Sequence, residues 1–316
     1  MTMEPTPEAL GGDDPLRILK RLVFATRPGF LSAVALPVLL GTVLGAADAG
    51  AFDAIAFALA LVSSVLVTGA ANVLNDVYDD LSGADPANAA RVYPFTGGSR
   101  FIQNGVMSRG AMARWGSLLA AMATGLGVLL ALHAGAMVLA FGAVGLGLGI
   151  AYSMPPFRLS GRGLGEPAVA VAFGVLPVTG AAWLQTGTLS AQAALISLAV
   201  AAWVANILLM NEGPDIRADA AAGKRTLAVR LGAPDARQLQ IGLHAAAAAV
   251  TLGGVIAGAL HPIAPVVPAA ILVLAPRMTR GAMTPEASAV VMPGIAFTMI
   301  GHGAGTLWLT AAAALA

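Results

Sequence analysis

Two groups of carboxylates stand out as the residues able to do chemistry. The first reads Asn75-Asp76-Val77-Tyr78-Asp79-Asp80, with Asp85 shortly after; the second reads Asn211-Glu212-Gly213-Pro214-Asp215, with Asp219 beyond it. Asn75 and Asp79 are four residues apart, and Asp76 and Asp79 three, so a helix through them sets them on one face. Asp215 and Asp219 are again four apart, and Pro214 suits a helix start. Such oxygen ligands suit Mg²⁺, which takes one or two carboxylates and completes its shell with water and substrate phosphate. Asn75, Asp76, Asp79, Asp85, Asp215 and Asp219 are therefore candidate metal ligands around a diphosphate. A calcium loop of the EF-hand type and a Walker P-loop are both absent.

Basic residues follow each cluster. Thr96-Gly97-Gly98-Ser99-Arg100 follows the first, with glycines that let backbone N–H groups approach phosphate oxygens, and Gly223-Lys224-Arg225-Thr226 follows the second. Arg100, Lys224 and Arg225 are the candidate diphosphate contacts. A third polar loop, Tyr152-Ser153-Met154-Pro155-Pro156, continues to Arg162 and Glu166. Tyr152 at a helix end is placed to offer its ring face to a carbocation. Arg162 and Glu166, four apart, are also spaced for a plain ion pair.

The elements that position these residues are membrane helices. The 316 residues are 58% hydrophobic and only 10% charged, against about 25% charge in a soluble domain. Carboxylates at the borders of such a chain are a functional signal, because each Asp at a helix centre costs roughly 2.5–3.5 kcal/mol on the insertion scale. There is no cysteine, which excludes disulfides, thiolate metal sites and a thiol nucleophile, and the four histidines are too scattered to form a metal site. Net charge +1 gives no sign of a nucleic-acid partner. Residues 1–28 read as a polar N-terminal cytoplasmic segment without the pattern of a cleaved signal peptide, and 29–316 as one membrane domain.

Nine apolar segments, 29–47, 52–74, 112–132, 134–154, 167–186, 190–210, 238–260, 262–276 and 286–314, predict an all-α fold of nine transmembrane helices. With the N-terminus inside, all 17 Lys and Arg fall on one side, which predicts N-in, C-out and both acidic clusters cytoplasmic. The recurrence of a helix ending in an Asn/Asp loop four helices later predicts tandem four-helix units plus one, around a central cavity. A transporter also carries intramembrane acids and repeats, but holds them near mid-membrane on broken helices.

These loops resemble those of the UbiA-type intramembrane prenyltransferases over roughly residues 24–310, closest in form to the 1,4-dihydroxy-2-naphthoate branch. Asn75, Asp76 and Asp79 match the first motif, whose last Asp position falls on Gly83 with Asp85 two residues later. Asn211, Asp215, Asp219, Gly223, Lys224, Thr226 and Leu227 match the second motif. Tyr152, Pro155, Pro156, Leu159, Arg162 and Glu166 match the third, and Arg27-Pro28 is similar to the family's opening. The resemblance implies an enzyme of the inner membrane, opening to the cytoplasm, in which Mg²⁺ binds a polyprenyl diphosphate and the prenyl group passes to an aromatic acceptor. On this reading Tyr152, Asp76 and Asp215 are catalytic, Arg27 joins Arg100, Lys224 and Arg225 on the diphosphate, and membrane lipid surrounds the tail. Dihydroxynaphthoate is the implied acceptor, with hydroxybenzoate, homogentisate, chlorophyllide and glyceryl phosphate lipids as alternatives. Glu212-Gly213-Pro214 departs from the family pattern, and Glu212 is left as either a metal-shell residue or a solvated helix end.

Overall fold

Asp53 shows how the ends of the helices are tied. Its carboxylate accepts the Ala56 N–H at 2.9 Å as an N-cap, meets His133 Nε2 at 2.7 Å, and its own N–H donates to Gln185 at 2.7 Å. One residue thereby fixes the start of one helix and the finish of two others. The computed structural model describes residues 4–83, 91–283 and 288–315, and among these every regular element is helical. Two short helices come first, α1 (Pro7–Leu10) and α2 (Pro15–Ala25). The apolar helices are α3 (Ser32–Ala49), α4 (Ala54–Ser82), α5 (Arg109–Ala134), α6 (Met137–Ser153), α7 (Gly165–Thr186) and α8 (Ala191–Glu212), then α10 (Leu227–Ile256), α11 (Val266–Met278) and α12 (Ser288–Ala314). A single amphiphilic turn, α9 (Ile216–Ala221), sits between α8 and α10.

Six of these helices, counting α3 from Pro28, are long and apolar enough to cross a membrane. The chain is therefore an integral membrane protein. α11, at 13 residues, is only about 20 Å long at 1.5 Å per residue, against a hydrocarbon core of about 30 Å. α10 is longer than its apolar segment predicts because it begins at Leu227, capped by the Thr226 hydroxyl, and breaks at Gly232, whose φ of 73° is left-handed.

α4 is the element that delivers the first acidic cluster. Its 29 residues exceed the roughly 20 that a span needs, and Asn75 to Asp80 lie on its last turns. Gly83, at φ 80°, ends it by donating to the Asp79 and Asp80 carbonyls, as the sequence predicts. α8 delivers the second cluster. It is apolar all round and is the most enclosed span, with 78% of its apolar window buried, which fixes Glu212 and the following loop against the interior.

The helices close on one another through small residues. α3 packs along α7, α4 along α5, α8 along α10, and α12 returns to α3. Gly41 and Gly45 of α3 lie against the backbone of Val178 and Ala182 of α7, so close that a Cβ on either would strike a carbonyl oxygen. This is small-residue packing, where close backbone approach supplies the contact that the hydrophobic effect cannot supply in lipid. Gly41→Leu is expected to destabilise the bundle by about 1–3 kcal/mol or more, read as a lower midpoint of thermal unfolding in detergent.

Candidate active site

The last turns of α4 and the loop after α8 meet over one cavity of about 220 Å³. Asn75 and Asp79 share a face, as their spacing requires, and the Asn75 side-chain N–H₂ donates to Asp79 at 3.3 Å and to the Ser153 hydroxyl of α6 at 2.9 Å. From the other side, Gly223 takes a left-handed φ of 77° and turns the chain back after α9. Lys224 Nζ then reaches Asp79 at 2.8 Å and Asp219 at 3.9 Å. One ammonium bridges the two clusters, so they face each other.

The wall is completed by Asp215, Asn211, Arg27, Tyr152 and the stretch Thr96-Gly97-Gly98. Arg27 sits at φ 57°, lays its guanidinium 4.9 Å from the Phe30 ring centre and donates to the Phe95 carbonyl at 3.3 Å. Burial pushes the Asp219 carboxyl up to about 6; Lys224 draws it back, while the charges of Asp215 and Asp79 add to the rise. Among the described residues no three Asp, Glu or His groups converge on one point. What the site offers instead is one or two carboxylates from each side with amide oxygens beside them, a donor set that fits Mg²⁺ shared with substrate phosphate.

Of the expected site residues, Asn75, Asp79, Asp215, Asp219, Arg27, Lys224 and Tyr152 line this cavity. Asp76 does not. It is 3% exposed, and its Oδ2 accepts the Ser99 N–H at 3.2 Å, so it anchors the stretch that brings Gly97 and Gly98 to the cavity. Its Oδ1 is buried without a hydrogen-bond partner, and its expected place as a metal ligand and catalytic group stands on the sequence resemblance. Arg100 is buried in the same loop at φ 64° and lies outside the cavity wall. Arg225 is also outside it, and its N–H donates to Gly161, joining the second and third loops. Pro214 does not open the helix after the second cluster; Asp215 is the residue before its first turn. Asp85 lies outside the described residues. The Arg162–Glu166 ion pair does not form: both Glu166 oxygens are buried without a hydrogen-bond donor.

Below the polar rim the walls become apolar. A second cavity of about 320 Å³ adjoins the first at Ala71, Gly149, Ala172 and Phe173 and runs between α4, α5, α6 and α7. Its lining is aliphatic and aromatic apart from a few hydroxyls, and it includes the exposed residues Val128 and Leu139. A charged, phosphate-sized rim over an apolar channel suits a molecule with an anionic head and a hydrocarbon tail.

The profile of the UbiA prenyltransferase family matches residues 34–290. The chain belongs to that family. A 1,4-dihydroxy-2-naphthoate octaprenyltransferase of Bacillus subtilis is 31% identical over 241 residues, covering 75% of this chain and 74% of the relative. The enzyme of the same name from Haemophilus influenzae is 31% identical over 242 residues, covering 74% and 76%. A UbiA homologue from Archaeoglobus fulgidus, whose structure is bound to GPP and Mg²⁺, superposes with TM-score 0.65 at 16% identity, covering 92% of this chain and 99% of that one. At that identity the superposition speaks for the UbiA fold alone. Membership in a transferase family also decides against the transporter reading.

Sequence reasoning missed two features of this UbiA site. Asn72 and Ser160 line the cavity, Ser160 donating to the Tyr152 carbonyl at 2.9 Å and Asn72 to the Thr26 carbonyl at 2.9 Å. The second is the meeting of Glu166 with Glu212, which comes from two different helices and leaves no spacing signal.

Proposed function

We propose that this chain is a Mg²⁺-dependent polyprenyltransferase that alkylates 1,4-dihydroxy-2-naphthoate, with loss of its carboxylate as CO₂, on the route to menaquinone. The observation that carries the reading is the bridge from Asp79 through Lys224 to Asp219, set at the mouth of an apolar channel. The naphthoate enzymes among its relatives support the acceptor. Asp79, Asp215 and Asp219, with Asn75, would hold Mg²⁺, which supplies positive charge to the departing diphosphate. The residues themselves do the rest. Lys224 and Arg27 neutralise negative charge that grows on the leaving oxygen. The apolar walls exclude water that would quench an allylic cation, and Tyr152 offers it a ring face. We place nine spans across the membrane, with residues 1–28, both clusters and the cavity mouth on the cytoplasmic side, on the strength of the Lys and Arg distribution.

The test is transfer by membranes containing the protein, supplied with Mg²⁺, a labelled polyprenyl diphosphate and naphthoate, hydroxybenzoate or homogentisate in parallel. Metal-dependent product from naphthoate alone is expected, and EDTA is expected to remove it. Product that survives EDTA would defeat the metal assignment, and product from another acceptor would move the enzyme to a different branch.

A further inference from the structure

Glu4 ties together two distant points of the stretch 91–108, which leads from the first acidic cluster into α5. Its Oε1 accepts the Arg91 Nε–H at 2.7 Å, and its Oε2 accepts the Asn104 side-chain N–H₂ at 3.1 Å. Asn104 also donates to the Pro5 carbonyl at 2.9 Å. Both groups that face Glu4 are donors. A carboxylate, with an acceptor on each oxygen, satisfies both, whereas an amide would turn its own N–H₂ towards one of them. Six residues further on, Leu10 is buried in the cluster that contains Phe101, Val106 and Met107 of the same stretch.

The N-terminal segment is itself held. Arg17 of α2 donates to the Glu8 and Gly11 carbonyls at 3.4 and 3.5 Å, and Arg21 to the Leu10 and Gly12 carbonyls at 3.1 and 3.2 Å. α2 is fixed to α5 by the Trp115 indole N–H, which donates to the Leu22 carbonyl at 3.0 Å. Residues 4–12 thus form a strap from α2 to the loop. Between the two points that Glu4 ties, the chain passes through Thr96, Gly97 and Gly98 at the cavity wall. Gly97 and Gly98 hold left-handed φ of 72° and 74°, a conformation that glycine adopts without strain. Neither of their N–H groups has an acceptor among the described residues.

We propose that the strap is part of the diphosphate site, with Glu4 a positioning residue that closes the base of the loop and holds the Gly97 and Gly98 N–H groups ready for phosphate oxygens. The inference rests on the proposed binding of a prenyl diphosphate. Glu4 does not touch the substrate and acts only through the loop. Two left-handed glycines in succession are a pliant piece of backbone. With the base of the loop untied, the substrate would have to order that backbone each time it bound, and the cost would come out of its affinity. With the base tied, the ordering is done before the diphosphate arrives.

The experiment uses the full chain in nanodiscs and measures binding of farnesyl S-thiolodiphosphate, an unreactive analogue, in the presence of Mg²⁺. In Glu4→Ala the affinity is expected to fall about tenfold. Glu4→Gln keeps an acceptor for one of the two donors and should lose less. Asn104→Ala should resemble Glu4→Ala, and the double variant should lose no more than the worse single one, because both cut the same clasp. In turnover, KM for the prenyl diphosphate should rise with the dissociation constant of the analogue, while kcat stays within about threefold and the acceptor KM within about twofold. A residue that served stability alone would lower the midpoint of thermal unfolding and leave the KM of the folded fraction unchanged.

Analogue binding within about twofold of the wild type in both Glu4→Ala and Asn104→Ala would overturn the inference, and so would additive losses in the double variant. If Glu4→Ala does not fold, Asn104→Ala decides alone. The failures of the two readings differ. A wild type that binds the analogue but transfers to no acceptor defeats the proposed function, and the binding comparison still decides the strap. A wild type that does not bind the analogue overturns both.

Discussion

Alanine at Asp79 or at Asp215 is expected to remove prenyl transfer, with kcat/KM down by at least about a thousandfold, while the protein stays folded and inserted. Asp79 is the residue through which the two halves of the site touch, by way of Lys224 at 2.8 Å. Asp215 precedes the α9 turn and lines the same cavity from the α8 side. Asp79 supplies the first side of the cavity and Asp215 part of the second, and a metal shared between diphosphate and two sides of a cavity needs both. Both side chains line the cavity, so the midpoint of thermal unfolding should move little. Turnover assays beside an unfolding scan check this, and normal turnover by either variant would sink the assignment. Asp76→Ala offers an instructive contrast. Asp76 is buried under the Gly97-Gly98 stretch, so its loss should reduce transfer together with the order of that loop.

Lys224→Met is expected to produce the second largest effect, and in two directions. Transfer should fall about a hundredfold, because one positive charge is lost where the leaving diphosphate gathers negative charge. Binding of Mg²⁺ in the absence of substrate should tighten, because Asp79 and Asp219 lose the cation that now stands between them. Titration of the metal by calorimetry, set beside kcat, tests both signs. Weaker metal binding in the variant would mean that Lys224 supports the metal rather than taking its place. Lys224→Arg should recover only part of the loss, since a planar fork replaces a compact point charge.

Much of this site was legible because its signals are local. Asn75 with Asp79, and Asp215 with Asp219, need only helical spacing to be grouped, and the apolar runs around them need only length. The end of α4 at Gly83 follows from the freedom of glycine at positive φ. What was not legible depends on tertiary contact. Asp76 has the spacing of a ligand, and the structure adds what spacing cannot show, that its Oδ2 accepts the Ser99 N–H from a loop folded over it. Arg100 reads as a phosphate contact and is instead buried within that loop. Arg162 and Glu166 have the spacing of an ion pair, but Glu166 faces a carboxyl on another helix. The Gly41-to-Gly45 spacing in α3 was available in the sequence and marks a helix contact, one that its abundance of glycines hides among many others.

The apolar channel has a consequence of its own. Gly142, Gly145 and Gly147 on α6 have no neighbours where a side chain would project, and exposed Val128 and Leu139 form part of the channel's lining. A ruler requires an end stop, and a channel open at its flank has none. On the proposed function the site would read the diphosphate head and the first isoprene units, with the remainder of the tail left outside the channel. For the proposed transfer, the length of the tail would then be set by the prenyl diphosphate supplied and not by a stop within this protein.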